Sequence, residues 1–117
     1  MTTTDSKEIR WMGSSFDALL AFPDESRREA GFQLRKVQAG LDPDDWKSFA
    51  GMGTGAREIR IKDSSGIFRV LYVAKFPEAV FVLHCFRKTT QATAKCDKEI
   101  ASSRYRALMQ YRMEKVR

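Results

Sequence analysis

Residues 57–75 leave the backbone little choice. Arg57-Glu58-Ile59-Arg60-Ile61-Lys62 alternates polar with apolar, the period of a strand with one buried face. Asp63-Ser64-Ser65-Gly66 is turn chemistry, and Ile67 to Lys75 is rich in β-branched and aromatic residues, which favour strands. Together they predict an antiparallel hairpin with a four-residue loop, Lys62 paired with Ile67. Ile61 then faces Phe68 and Ile59 faces Val70 on the core side, while Arg60 faces Arg69 and Glu58 faces Leu71 on the other. Two arginines directly opposed repel each other and destabilise a sheet. A fold tolerates this most readily where an anion binds between them. The alternative is that each guanidinium turns to a separate acid, Glu58 being the nearest for Arg60.

Phe76-Pro77-Glu78 breaks the pattern, and Ala79 to Arg87 forms a third run, apolar on both faces as a central strand is. It ends in Arg87-Lys88, with Lys95 and Lys98 following, so cations collect at one end of the sheet. Two registers against the second strand stay open. In one, His84, Phe86 and Lys88 share the face of Arg69; in the other, Cys85 and Arg87 do. Upstream, Lys7–Met12 suits a short strand with Ile9 and Trp11 on one side, broken by Gly13-Ser14-Ser15. Ser14 and Asp17 resemble a capping box before a short helix carrying Phe16, Leu19 and Leu20. Pro23-Asp24-Glu25 starts a second helix whose stripe is Ala30, Leu34 and Val37. It runs to Gln38, with Gly40 as its expected C-cap and Gly31 as an expected point of close packing. Leu41 to Ala56 has no periodicity and reads as a long loop anchored by Trp46 and Phe49. From Thr93 to about Met113 the chain reads as a closing helix. The expectation is an α+β domain over residues 1–117: a small antiparallel sheet with two N-terminal helices and a C-terminal helix, all on one sheet face. Short flexible tails are expected at about 1–6 and 113–117.

Composition removes whole classes of function. The most apolar stretch, Ala79 to Phe86, is eight residues and contains His84, too short to span a membrane. Residues Met1–Glu8 hold no apolar segment of a secretory leader, so a cytoplasmic location is expected. Two cysteines, Cys85 and Cys96, cannot build a disulfide framework, and with a single His they cannot make the usual zinc site. Two reduced thiols, no metal and no cofactor are the expectation. No P-loop, dinucleotide fingerprint or Ser/His/Asp triad is present; Gly51-Met52-Gly53-Thr54-Gly55 lacks the Lys-Ser/Thr of a nucleotide loop and reads as a flexible entry to its strand. His84, the single imidazole of the chain, is the obvious acid/base by residue type, but between Leu83 and Cys85 in the most apolar strand it reads better as a packed core histidine. Charge is informative too. Residues 1–56 carry 7 basic and 9 acidic side chains, net −2, whereas residues 57–117 carry 14 and 6, net +8. That basic half suits phosphate-rich partners.

Three segments together resemble the RelE/HigB toxins: Gly53-Thr54-Gly55-Ala56-Arg57-Glu58-Ile59-Arg60, Gly66-Ile67-Phe68-Arg69-Val70-Leu71-Tyr72, and Val82-Leu83-His84-Cys85-Phe86-Arg87-Lys88-Thr89-Thr90-Gln91. The resemblance is strongest to the phage-derived, HigB-like branch and runs from about Ile9 to Leu108. It implies the toxin half of a type II toxin–antitoxin pair, with many members cutting mRNA in the ribosomal A site. The implied partners are a cognate antitoxin, expected to be a helix-turn-helix protein, and the ribosome with its mRNA. By position, Arg60 and Arg69 match basic residues lining the family's cleft, and Arg87 and Lys88 match the basic end of its last strand. Glu58, beside Arg60, is the candidate base, an ordinary salt bridge being its alternative role; Arg60, Arg69, Arg87 and Glu58 are the expected catalytic set, and Lys62, Phe86, Lys88 and Lys95 the expected RNA contacts. The chain departs from the pattern where some members place a proton-handling Tyr or His–Asp–Tyr cluster near the C-terminus; only Tyr105 and Tyr111 are available there, on a helix. Two other functions fit the same superfamily: a ParE-like toxin that inhibits DNA gyrase without cutting RNA, and an inactive phage-derived binding module.

Overall fold

The computed structural model describes residues 6–89 and 91–116. Its elements run β1 (Glu8–Trp11), α1 (Ser15–Leu20), α2 (Asp24–Gln38), β2 (Trp46–Ser48), β3 (Ala56–Asp63), β4 (Gly66–Val73), β5 (Ala79–Lys88) and α3 (Lys95–Val116). The strands form one five-stranded sheet in the order β1-β5-β4-β3-β2. The β3–β4 hairpin has the predicted register, with Ile61 opposite Phe68, Ile59 opposite Val70 and Arg60 opposite Arg69. Pairing continues to Asp63 and Gly66, so the loop is two residues and not four. Ser65 tightens it by donating its N–H and hydroxyl to Asp63 Oδ1 at 2.7 and 2.6 Å; the hydroxyl bond chiefly holds the Asp63 carboxyl below its ordinary pKa. Gly66 turns the corner at φ +149°, a value that side-chain-bearing residues rarely adopt.

Two expectations about the sheet are corrected. It is not purely antiparallel, because β1 pairs parallel with β5; the long connection between them, through α1, α2 and the strands β2 to β4, makes a parallel pairing possible. Nor do the helices share a face. Leu19 and Phe22 of the α1 region and Ala30, Leu34 and Val37 of α2 pack on Ile59, Ile61, Phe68, Val70, Tyr72, Val80 and Val82. Ala101 and Leu108 of α3 pack on Leu71, Val73, Ala79, Phe81 and Leu83 of the opposite face. The central strand β5, buried along both sides from Ala79 to Phe86, requires cover on both. Its apolar, two-sided pattern already carried that requirement.

Smaller differences have local causes. The stretch 41–56 is not loop throughout, since β2 adds to the β3 edge through Trp46, Lys47 and Ser48. Ser14 makes no cap bond to α1; its Oγ accepts from Arg104 Nη2 at 3.0 Å instead. Ala39 is the C-cap residue of α2, and Gly40 directly after it terminates the helix as expected, at φ +85° with Leu41 N–H donating back to the Lys36 carbonyl. Gly31 is not a close-packing point: the nearest neighbour to an added Cβ is Arg35 Nη1 at 3.9 Å. At the C-terminus α3 runs through Met113 to Val116, longer than expected; residues 1–5 of the expected N-terminal tail, Thr90 and Arg117 lie outside the described residues. Both cysteines are free, and burial pushes the Cys85 thiol up to about 12. Among the described residues no helix is long and apolar enough to cross a membrane, and no three His, Cys, Asp or Glu side chains converge on a point.

Candidate functional site

A β-bulge decides which side chains meet. In β4–β5, Tyr72 pairs with Val82 but Leu71 pairs with His84, so Leu83 is an extra residue and the side-chain parity switches there. Arg104 of α3 donates from Nη1 to the Leu83 carbonyl at 2.9 Å, occupying an acceptor at the bulge. Beyond it Phe86 lies opposite Arg69 and Lys88 opposite Ile67. Of the two open registers, the one placing His84, Phe86 and Lys88 on the Arg69 face applies at this end of the sheet.

That face carries a groove of about 470 Å³ whose lining includes Lys47, Glu58, Arg60, Arg69, Lys88 and Lys98. A second depression of about 510 Å³, lined by Ile67, Arg69, Lys88, Thr89 and Gln91, adjoins it through Arg69 and Lys88. Five cations therefore share one concavity with a single lining carboxylate. The cross-strand arginines do each take a separate acid, but not with the partnership expected. Arg69 Nε lies 3.6 Å from Glu58 Oε2, and Arg60 Nε lies 3.2 Å from Asp45 Oδ1. Glu58 goes to Arg69 because both are largely withdrawn from solvent, with side-chain exposures of 2% and 12%. Arg60 is exposed and reaches Asp45 outside β2.

Arg69 is the unusual group. Its Nη1 donates to the Phe68 carbonyl at 3.1 Å, while its Nε is buried without a hydrogen-bond partner. Burial pulls its pKa down; Glu58 opposes that, Arg60 adds to it, and Asp45 opposes it again. A guanidinium keeps its proton regardless. The result is a charged donor held in place with unused hydrogen-bonding capacity, next to a second guanidinium. Such a pair can bind an oxyanion bidentately and stabilise charge developing on it.

The remaining expected residues divide. Lys88 lines the groove and donates to the Gln91 carbonyl. Lys62 sits on the same face by register, opposite Ile67, and is exposed. Lys95 is exposed in the first turn of α3 and is not among the groove residues; Lys98, one turn on, takes that place. Phe86 is on the Arg69 face but buried, stacked on the His84 ring at 5.2 Å, so it has no free face for a base. Arg87 is on the opposite face, beside Phe68, where its guanidinium covers the Phe68 ring at 5.8 Å and Nη2 donates to Ser65 O. It belongs to the hairpin loop and not to the groove.

His84 is a packed residue. Its Nε2 lies 2.7 Å from Asp97 Oδ1 of α3, and Nδ1 is buried without a partner. Tyr105 donates to Thr54 O at 2.7 Å and tethers the 49–56 loop, whose Phe49, Ala50 and Gly51 form one wall of the groove. Tyr111 is exposed at the far end of α3. Sequence reasoning passed over Lys47 and Asp45; their location opposite β3 depends on β2, three residues with no periodicity to read. The Tyr105 tether yields a prediction. A Cβ at Gly53 would sit 2.3 Å from the Tyr105 ring, so Gly53→Ala is expected to cost about 1–3 kcal/mol. Thermal melts should register the loss, and amide exchange over 49–56 should quicken.

With this geometry in view, comparisons with known proteins are specific. A family model described as "Phage derived protein Gp49-like (DUF891)" matches residues 17–106. The solved structure of the E. coli toxin RelE, a double arginine-to-alanine mutant in the free state, is similar in fold, with a TM-score of 0.61 and 14% identity. The match covers 87% of this chain and 97% of that one. No curated protein matches the chain.

Proposed function

The chain belongs to the phage-derived Gp49-like family, and from that membership and its RelE-like fold we propose that it is the toxin of a toxin–antitoxin pair, a metal-independent endoribonuclease that cuts mRNA on the ribosome. The observation carrying this reading is the opposed pair Arg60 and Arg69 at the floor of a basic groove. Cleavage by the 2′-hydroxyl on its own phosphate needs one proton removed, extra charge on phosphorus stabilised, and the leaving oxygen protonated. Preorganised guanidinium groups supply the second requirement, commonly the largest. Lys47, Lys88 and Lys98 would hold the flanking backbone by charge. Proton transfer is the weaker part of the apparatus: Glu58 is the carboxylate lining the groove beside the arginine pair, and it is engaged with Arg69. Alignment of the mRNA by the ribosome offsets that weakness, since positioning alone contributes several kcal/mol.

Induced without its antitoxin, the protein is expected to arrest growth and leave cleavages within coding regions of bulk mRNA while DNA topology stays normal. Mapping RNA 5′ ends after induction, alongside plasmid supercoiling, checks this. DNA breaks with intact mRNA would transfer the reading to gyrase inhibition, and no growth effect would favour a binding module.

A further inference from the structure

A separate cavity lies on the sheet face opposite the arginine groove. It measures about 320 Å³ and is lined in part by Lys7, Asp42, Arg57, Tyr72, Ala74 and Lys75, a size that admits a small ligand. Tyr72 has no exposed surface, yet its hydroxyl makes no well-formed hydrogen bond, with Arg57 the polar side chain set against it. A buried hydroxyl left unpaired is costly, and native folds rarely keep one without a reason. Its neighbours are donors. Lys7 Nζ donates to the Ala74 carbonyl at 2.6 Å and retains further N–H groups. Arg57 donates from Nη1 to Asp42 at 3.2 Å and stacks over the Trp46 ring at 4.1 Å, which fixes the plane of the guanidinium beside Tyr72. The Lys75 stem crosses Gly55 and its ammonium lies over Phe76 at 5.2 Å, adding charge at the rim. Three cations face one carboxylate, and that carboxylate is already taken by Arg57.

We infer that this cavity is a second anion site, which takes a phosphate group through the Tyr72 hydroxyl, Lys7 and Arg57. A phosphate group brings mostly acceptor oxygens and negative charge, matching a cavity whose polar side chains are mostly donors and mostly cationic; a water would bring two more donors and no charge. Burial also raises the Tyr72 pKa, with Arg57 opposing the shift, so the phenol remains a proton donor at neutral pH. The inference does not depend on the function proposed for the arginine groove.

The test is a titration of the 15N-labelled protein with inorganic phosphate at constant ionic strength, followed amide by amide. The amides of Lys7, Arg57, Tyr72 and Ala74 are expected to shift together and saturate. Those around Arg60 and Arg69 should form a second set with its own dissociation constant. Tyr72→Phe, which removes one oxygen and only a poorly formed contact with Arg57, should melt close to the wild type without phosphate. It should weaken the first set about tenfold, the scale for a hydrogen bond to a charged group, and leave the second unchanged; Lys7→Gln should weaken the first set likewise. Adenosine 5′-monophosphate distinguishes the source: tighter binding than phosphate assigns a nucleotide, and equal binding assigns the free ion. The inference is overturned if only the groove amides shift, or if Tyr72→Phe and Lys7→Gln both bind phosphate as tightly as the wild type.

Discussion

Arg60→Ala and Arg69→Ala are each expected to slow cleavage of ribosome-bound mRNA about a hundredfold or more, the scale for losing one preorganised donor to a developing oxyanion. Their effects on stability should differ sharply. Arg60 is exposed and paired with an exposed Asp45, so its removal should leave the melting temperature nearly unchanged. Arg69 is the partner of Glu58, whose side chain is only 2% exposed. Losing one member of a withdrawn pair strands the other, at a cost of about 3 kcal/mol, or on the order of 10 °C in melting temperature. Relief of the repulsion with Arg60 offsets part of that, but the register alone would suggest the opposite outcome, a variant that folds as well or better. Thermal melts and single-turnover rates on both variants check the two effects separately. Adding Glu58→Gln to Arg69→Ala should recover most of the lost stability, because the stranded charge is then gone.

His84→Ala is expected to lower stability by about 2–3 kcal/mol while the folded protein cleaves within a few-fold of the wild-type rate. The imidazole fills space against Phe86 and ties β5 to the first turn of α3 through Asp97. It is not among the groove residues. Removing it leaves a gap under Phe86 and takes away one anchor of the helix start that delivers Lys98. Circular dichroism melts give the first quantity, and rates normalised to the folded fraction give the second. A stable but inactive His84→Ala would make this histidine the proton carrier.

The hairpin was legible because its two strands constrain each other: alternation on one, β-branched and aromatic residues on the other, and a turn between them leave one register that buries Ile59, Ile61, Phe68 and Val70. Arg60 opposite Arg69 follows from that arithmetic. What lies two strands away does not. The side of the sheet reached by Arg87 depends on the bulge at Leu83, a single extra residue with no marker in the local pattern, and on it turns whether Arg87 or Lys88 enters the groove. Glu58 and its choice of partner depend on burial, which follows from α3 and the 49–56 loop closing over that face. The covering of both faces could have been read from β5, whose run from Ala79 to Phe86 offers no polar side to water. Phe86 and His84 show the converse: an aromatic and an imidazole that suggest chemistry by type are spent on packing by position.

The single-turnover rate constant of Arg60→Ala on ribosome-bound mRNA, measured against the wild type, addresses the arginine clamp most directly, because this variant should alter the groove without altering the fold. A fall of about a hundredfold or more with an unchanged melting temperature is the predicted result. A wild-type rate from a fully folded Arg60→Ala would contradict the clamp.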